Sequence, residues 1–300
     1  MRRAFLCGED RYTGESYEHR RAWIEDRVLE VASVFAIDIA SFAIMSNHYH
    51  LVLHVDTDAA AQWSTDEIVE RWHTLFNASY LSKRYAANAD AMLPSEREHV
   101  VELAERWRSR LNSVSWFMRC INEPIARQAN AEDNCTGSFW EGRFKNQALL
   151  DEAEVLAAMA YVDLNPIRAN MADTPETSDH TSIQRRIRSA EQGTIPRDLM
   201  RFQGNSNKHS LLGIPFALED YVQLVDWTGR GVRGDKRGAI DHALPPFLER
   251  LQLDEGTWFT IATEFERNFR QWLGSETAIQ NATRNVAKTR SRSPPLLRAG

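Results

Sequence analysis

The nine residues Ser46-Asn47-His48-Tyr49-His50-Leu51-Val52-Leu53-His54 decide how this chain is read. They are rich in β-prone types, and in a strand successive side chains alternate between faces. His48 and His50 therefore point the same way, about 6–7 Å apart. Tyr49, Leu51, Leu53 and Val55 point the other way, and all four are apolar or aromatic. The pattern predicts a half-buried strand with two imidazoles on its polar face. Neutral imidazoles on a rigid strand are good ligands for a divalent metal. A bare histidine pair also suits a core strand with incidental histidines, and only residues elsewhere in the chain can separate the two.

The surrounding composition narrows the classes. At 300 residues the chain has room for one large domain or two ordinary ones. Its 43% hydrophobic and 26% charged residues are those of a globular protein rather than a disordered one. No apolar run approaches bilayer length, since even Val31–Ile44 is interrupted by Asp38. No charged-then-apolar signal pattern opens the chain, which predicts a cytoplasmic protein with no membrane partner. Cys7, Cys120 and Cys135 are odd in number and lack pair spacing, which fits a reducing compartment and excludes a zinc cluster. The net charge of −6 argues against a protein coated in nucleic acid but leaves room for a locally basic groove. Nine tryptophans suit either a core or stacking on bases.

Working outward, residues 17–33 read as an amphipathic helix with Trp23, Ile24, Val28 and Val31 at helical spacing. Residues 35–39 and 41–55 read as two extended pieces joined by a hairpin or a bulge. A helical stretch over 66–85 follows, then a polar linker over 86–95, a charged helix over 96–111 and a further helix over 114–130. Pro124 predicts a kink in the last of these. Residues 138–150 read as a strand. Asp151 is a natural N-cap with Glu154 at capping-box spacing, and the helix it starts runs to about Asn165, before Pro166. The Thr-, Pro-, Asp- and Ser-rich segment 172–179 marks a boundary. Beyond it, 173–300 reads as helical and irregular, with a basic tail from about 284. The order of helix, strand, helical insert (about 57–131), strand and helix is that of a split βαβ unit. The fold class is therefore α+β, with a ferredoxin-like antiparallel core, and His48 and His50 are expected on its open face.

The helix after Asp151 carries Tyr161 and, four residues on, Asn165, which places both on one face one turn apart. Ring packing by Tyr161 and C-terminal capping by Asn165 would also explain them. Taken together, His48-Tyr49-His50 and Tyr161-x-x-x-Asn165-Pro166 resemble the single-tyrosine HUH transposases, and most closely the REP-associated branch. Met45-Ser46-Asn47-His48-Tyr49-His50, Phe139-Trp140-Glu141-Gly142-Arg143-Phe144 and Asn165-Pro166-Ile167-Arg168-Ala169 extend the likeness, which covers roughly residues 1–172.

That resemblance implies a metal-dependent transposase that cleaves and rejoins single-stranded or hairpin DNA, such as a repetitive palindromic element, through a 5′-phosphotyrosine. It makes Tyr161 the nucleophile. It makes His48, His50 and Asn165 the ligands of Mg²⁺ or Mn²⁺. Single strands bind by stacking and a basic groove, so Trp140, Arg143, Phe144, Lys145 and Arg168 are candidate DNA contacts. For Trp140 and Phe144 plain core packing is the competing role. The protein is expected to act as a monomer or homodimer. Other readings are a non-catalytic DNA-binding protein derived from such an enzyme, and an RNA-binding ferredoxin-like module. The latter needs stacking rings where His48 and His50 stand. The family normally has a further strand ahead of Arg2-Arg3-Ala4-Phe5-Leu6-Cys7. In this chain that strand is expected to be missing, which would leave the histidine strand with an unpaired edge. Arg185, Arg186, Arg188 and the run Arg230–Arg237 read as solvated loops, and His54 as an exposed strand-end residue.

Overall fold

The computed structural model describes residues 6–10, 13–204, 213–232, 255–265 and 272–273. The expected tail from 284 and residues Arg233–Arg237 lie outside them. The class is α+β. Its centre is the hairpin of β1 (Ile37–Ile44) and β2 (Tyr49–Val55), paired antiparallel with Ile44 opposite Tyr49 and Ile37 opposite Val55. The turn is closed by Met45 N–H donating to His48 O at 2.9 Å. One extra residue, Ala40, interrupts the register between Ile39 and Ser41. Such a bulge turns the following side chain, and here both Ala40 and Ser41 face the same side of the sheet.

Helix α1 (Arg20–Val34) packs Ile24, Val28 and Val31 against the hairpin's first face, where Tyr49, Leu51, Leu53, Phe42 and Ile44 also lie. The same core continues through α2 (Thr57–Gln62), α3 (Thr65–Leu75), α4 (Tyr80–Asn88), α5 (Pro94–Leu111) and α6 (Val114–Glu132). The stretch expected as one helix over 66–85 breaks at Phe76, whose backbone is extended. Ser79 restarts it by accepting from Ser82 N–H. The expected linker is mostly helical, because α4 runs to Asn88 and Pro94 opens α5. Helix α6 continues through Pro124. Proline has no N–H for the carbonyl four residues back, and Arg27 Nε supplies the missing donor to Cys120 O at 2.8 Å.

The expected strand over 138–150 is reduced to β3 (Ala148–Leu149), which pairs in parallel with β4 (Trp272–Leu273). Phe139, Trp140 and Phe144 all pack on the first core. Adjacent residues that anchor to one surface cannot alternate as a strand requires, so the segment runs irregularly. Helix α7 (Glu152–Asp163) begins as the sequence predicts, with Asp151 accepting from Glu154 N–H at 3.1 Å. Leu164 stays helical and leads into the single turn α8 (Asn165–Arg168). Asn170, at φ 53°, is the left-handed residue that ends it. Capping therefore falls to Asn170 and not to Asn165.

The hairpin's second face is covered too, against the expectation that His48 and His50 lie on an open one. Ala40, Ala43, Met45 and Val52 pack on Leu156, Ala160 and Tyr161 of α7. Helices α9 (Ser182–Glu191), α10 (Leu218–Val232) and α11 (Glu255–Glu264) complete this second core through Ile183, Tyr221, Leu224 and Trp258. This core runs across the boundary expected near residue 172. Its polar centre is Asp163, which accepts from Ser182 Oγ at 2.6 Å, Tyr221 OH at 2.5 Å, and Ser41 Oγ and Ile183 N–H at 3.2 Å each. Burial pushes the Asp163 carboxyl up, opposed by the Ser182 and Tyr221 hydroxyls and by the Arg186 charge.

The two edges of the hairpin differ. Along β1, Ile44 N–H donates to His180 O at 3.1 Å, Met200 N–H donates to Ile39 O at 2.8 Å, and Phe42 N–H donates to Ser182 Oγ at 3.1 Å. Among the described residues no strand pairs with the outer edge of β2. Among them, too, no helix is long and apolar enough to cross a membrane.

Candidate functional site

His48 leaves the hairpin turn and His50 follows on β2, with ring centroids 4.7 Å apart and planes at 85°. The turn that presents them is braced from behind. Arg21 Nη1 donates to Ile44 O at 2.6 Å, Arg21 Nη2 donates to Ser46 Oγ at 3.2 Å, and Cys7 N–H donates to Ser46 O at 2.7 Å. Asn47 Oδ1 lies 2.5 Å from His48 Nδ1. An amide oxygen only accepts, so that contact makes Nδ1 the protonated nitrogen and leaves the lone pair on Nε2, the tautomer a metal ligand would need.

Tyr161 arrives from a segment more than one hundred residues away, yet its ring centroid is 5.8 Å from that of His50. The cause is α7 lying across the second face of the hairpin, where Val52 and Tyr161 share one core. Phe265 flanks the phenol ring at 5.5 Å. The Arg168 guanidinium carbon sits 4.5 Å from the centre of the ring. Burial, then the neighbouring His48 and Arg168 charges, push the His50 imidazole down to about 3. The ring is thus neutral, the form that binds metals.

Asn165 is only 9% exposed, and its Nδ2 is buried without a hydrogen-bond partner. Among the described residues no three His, Cys, Asp or Glu side chains converge as a metal-ligand group. Any cation here would therefore rely on an amide as its third protein ligand. The residue types suit that role, with imidazoles at the turn and on β2 and one amide, although the atom of Asn165 left without a partner is Nδ2, a donor, whereas a cation would take Oδ1. Glu154 also keeps Oε2 buried without a partner, on the same stripe of α7 as Tyr161. Two turns separate them by about 10 Å.

The remaining sequence candidates divide by face. Trp140 packs edge-on to Tyr49 at 5.9 Å and donates from Nε1 to Asn122 O at 2.8 Å. Tyr49 points away from the histidine face, and its hydroxyl donates to Asn122 Oδ1 at 2.7 Å. Phe144 is half-buried against the same core, while Arg143 and Lys145 are exposed on the irregular segment. Arg168 alone of this group adjoins Tyr161. Outside the site, Arg185 pairs with Asp198 and Glu25, Arg188 with Asp179, and Arg230 with Asp226. Arg186 is not solvated but buried, donating to Met200 O at 3.0 Å. His54 pairs with Asp38 at 3.3 Å.

Arg21 and Asn47 escaped the sequence reading. Asn47, adjoining the histidine pair, had a legible signal. Arg21 had none, because its contacts span a fold the local pattern does not encode. No family model matches the chain, and neither a curated protein nor a solved structure does.

Proposed function

We propose that this protein is a metal-dependent transposase that cleaves and rejoins single-stranded or hairpin DNA through a covalent bond to Tyr161. The observation that carries the reading is the meeting of Tyr161 with the His48–His50 pair, 5.8 and 4.7 Å between neighbouring rings. A core strand with incidental histidines gives no reason for a tyrosine from a distant helix to meet two imidazoles. A divalent cation, Mg²⁺ or Mn²⁺, held by His48, His50 and the amide oxygen of Asn165, would supply a Lewis acid for a non-bridging phosphate oxygen.

The chain's own part is nucleophile and geometry. Tyr161 Oη attacks phosphorus and the P–O3′ bond breaks. The phenolic proton passes to water, and the departing 3′ oxygen takes one up. The products are a 5′-phosphotyrosine and a free 3′-hydroxyl. The Arg168 guanidinium lies 4.5 Å from the centre of the ring, on the path of the incoming phosphate charge. The new ester keeps the bond energy of the old one, so a second 3′-hydroxyl can reverse the step without a nucleotide cofactor. The chain has no GxxxxGK[ST] loop that would hold one. The protein would act in the cytoplasm, on the nucleoid, as a monomer or homodimer.

The test is incubation with end-labelled hairpin-bearing single-stranded DNA and Mn²⁺, followed by denaturing electrophoresis. A protein–DNA adduct is expected from the wild type and not from Tyr161→Phe. Absence of any adduct across varied hairpins refutes the enzyme reading and favours a DNA-binding protein without catalysis. An adduct that persists in Tyr161→Phe refutes the choice of nucleophile.

A further inference from the structure

Helix α8 presents two nitrogen donors that the described protein leaves unused. Asn165 Nδ2 and Arg168 Nη1 are both buried, and neither has a hydrogen-bond partner. The two residues are three apart in one helical turn, so they share a face with their Cβ atoms about 5–6 Å apart. Among the described residues Arg168 makes no ion pair. Its guanidinium lies against the Tyr161 ring, 4.5 Å away, and its charge also reaches His50. Buried polar groups in folded proteins are nearly always satisfied, and Arg168, itself only partly buried, turns one of its nitrogens into such a buried position. Two such donors side by side, one of them charged, describe a receptor for an acceptor that arrives with the ligand.

We infer that Asn165 Nδ2 and Arg168 Nη1 form a phosphate-binding subsite beside Tyr161, which seats a DNA phosphodiester whether or not a metal is present. A phosphodiester offers two non-bridging oxygens on one phosphorus, one for each donor, and a single negative charge to match a single guanidinium. The subsite rests on the proposed function for the identity of its anion. It gives Arg168 a positioning role, holding the phosphate against the phenol ring. It also divides the work of Asn165, with Oδ1 left for a cation and Nδ2 for the phosphate.

The test is binding in EDTA, where no metal contributes. Fluorescence anisotropy with a short labelled single strand, and ¹⁵N spectra of the side-chain amides with inorganic phosphate, are the two readouts. For the wild type, phosphate is expected to shift the Asn165 amide pair and to compete with the oligonucleotide. Arg168→Gln is expected to weaken oligonucleotide binding about tenfold and abolish that shift. Arg168→Lys, which keeps the charge but not the planar fork, should recover part of the affinity. Thermal melts confirm that both variants fold. Equal affinity for wild type and Arg168→Gln, or an Asn165 amide that phosphate leaves unmoved, overturns the inference. If the Mn²⁺ adduct forms while Arg168→Gln binds as tightly as wild type, the subsite is wrong and the transposase reading stands. Phosphate held through Arg168 with no adduct on any DNA supports the subsite and refutes the catalytic reading.

Discussion

Replacing Asp163 by alanine should be the most damaging single substitution in the second core. The carboxylate is fully buried and accepts from Ser41, Ser182, Tyr221 and the Ile183 N–H, joining β1, α9 and α10 to the end of α7. Removal leaves Arg186, itself buried, without the charge that offsets it. Not every donor is stranded. Ser182 Oγ can turn to Ser41 Oγ, 3.1 Å away, whereas the Ile183 amide and the Tyr221 hydroxyl lose Asp163 as their acceptor. Buried donors left unsatisfied cost about 1–3 kcal/mol each, so stranding the Asp163 donors should cost about 3–5 kcal/mol in all. Asp163→Asn keeps one acceptor oxygen and loses only the charge and one lone-pair set, which places it at about 1.5–3 kcal/mol. Urea unfolding followed by tryptophan fluorescence measures both. With a slope of about 3 kcal/mol per molar, the alanine variant should lose about 1–2 M in midpoint at unchanged slope. A loss below about 1 kcal/mol for alanine, or asparagine costing as much as alanine, would refute this account of how the C-terminal helices are tied down.

Arg27→Met should cost about 1–2 kcal/mol by stranding the Cys120 carbonyl. In a Pro124→Ala background the same change should cost less than about 0.5 kcal/mol, since residue 124 then donates the missing hydrogen bond. Equal costs in a urea double-mutant cycle would contradict that. His50, whose folded ring ionises near pH 3 against about 6.5 unfolded, gives a linkage of fixed sign. Below pH 6.5 the unfolded chain takes up a proton that the folded ring refuses, so its contribution is complete above pH 6.5 and erodes as pH falls toward 3. The His50 ring resonances should hold still between pH 7 and 4.5, and a midpoint near 6.5 would contradict the burial argument.

Alternation over 48–55 and the apolar run before it are local signals that made the two extended pieces legible, but the break read at residue 40 is the bulge, and the turn over 45–48 was read as strand. The start of α7 was legible for the same reason, through the Asp151 cap. The helix expected to carry both Tyr161 and Asn165 stops at Asp163, and Asn165 opens the separate turn α8. What escaped depends on tertiary context. The covered second face of the hairpin was missed because Val52, on the histidine parity, is one apolar residue among polar ones, and its partners on α7 and α9–α11 are far away in sequence. Residues 138–150 carry strand-like composition, yet neighbouring Phe139 and Trp140 anchor to one surface and defeat the alternation. Asp163 sat unremarked between Tyr161 and Asn165, because its partners Ser41, Ser182 and Tyr221 come from three other elements.

The most direct test of the central claim is peptide mapping of the Mn²⁺ reaction product by mass spectrometry. After nuclease and trypsin digestion, the account predicts a nucleotide mass retained on one peptide, with fragmentation placing it on Tyr161. A nucleotide on any other residue, or none on a protein shown to bind the same DNA, would contradict it.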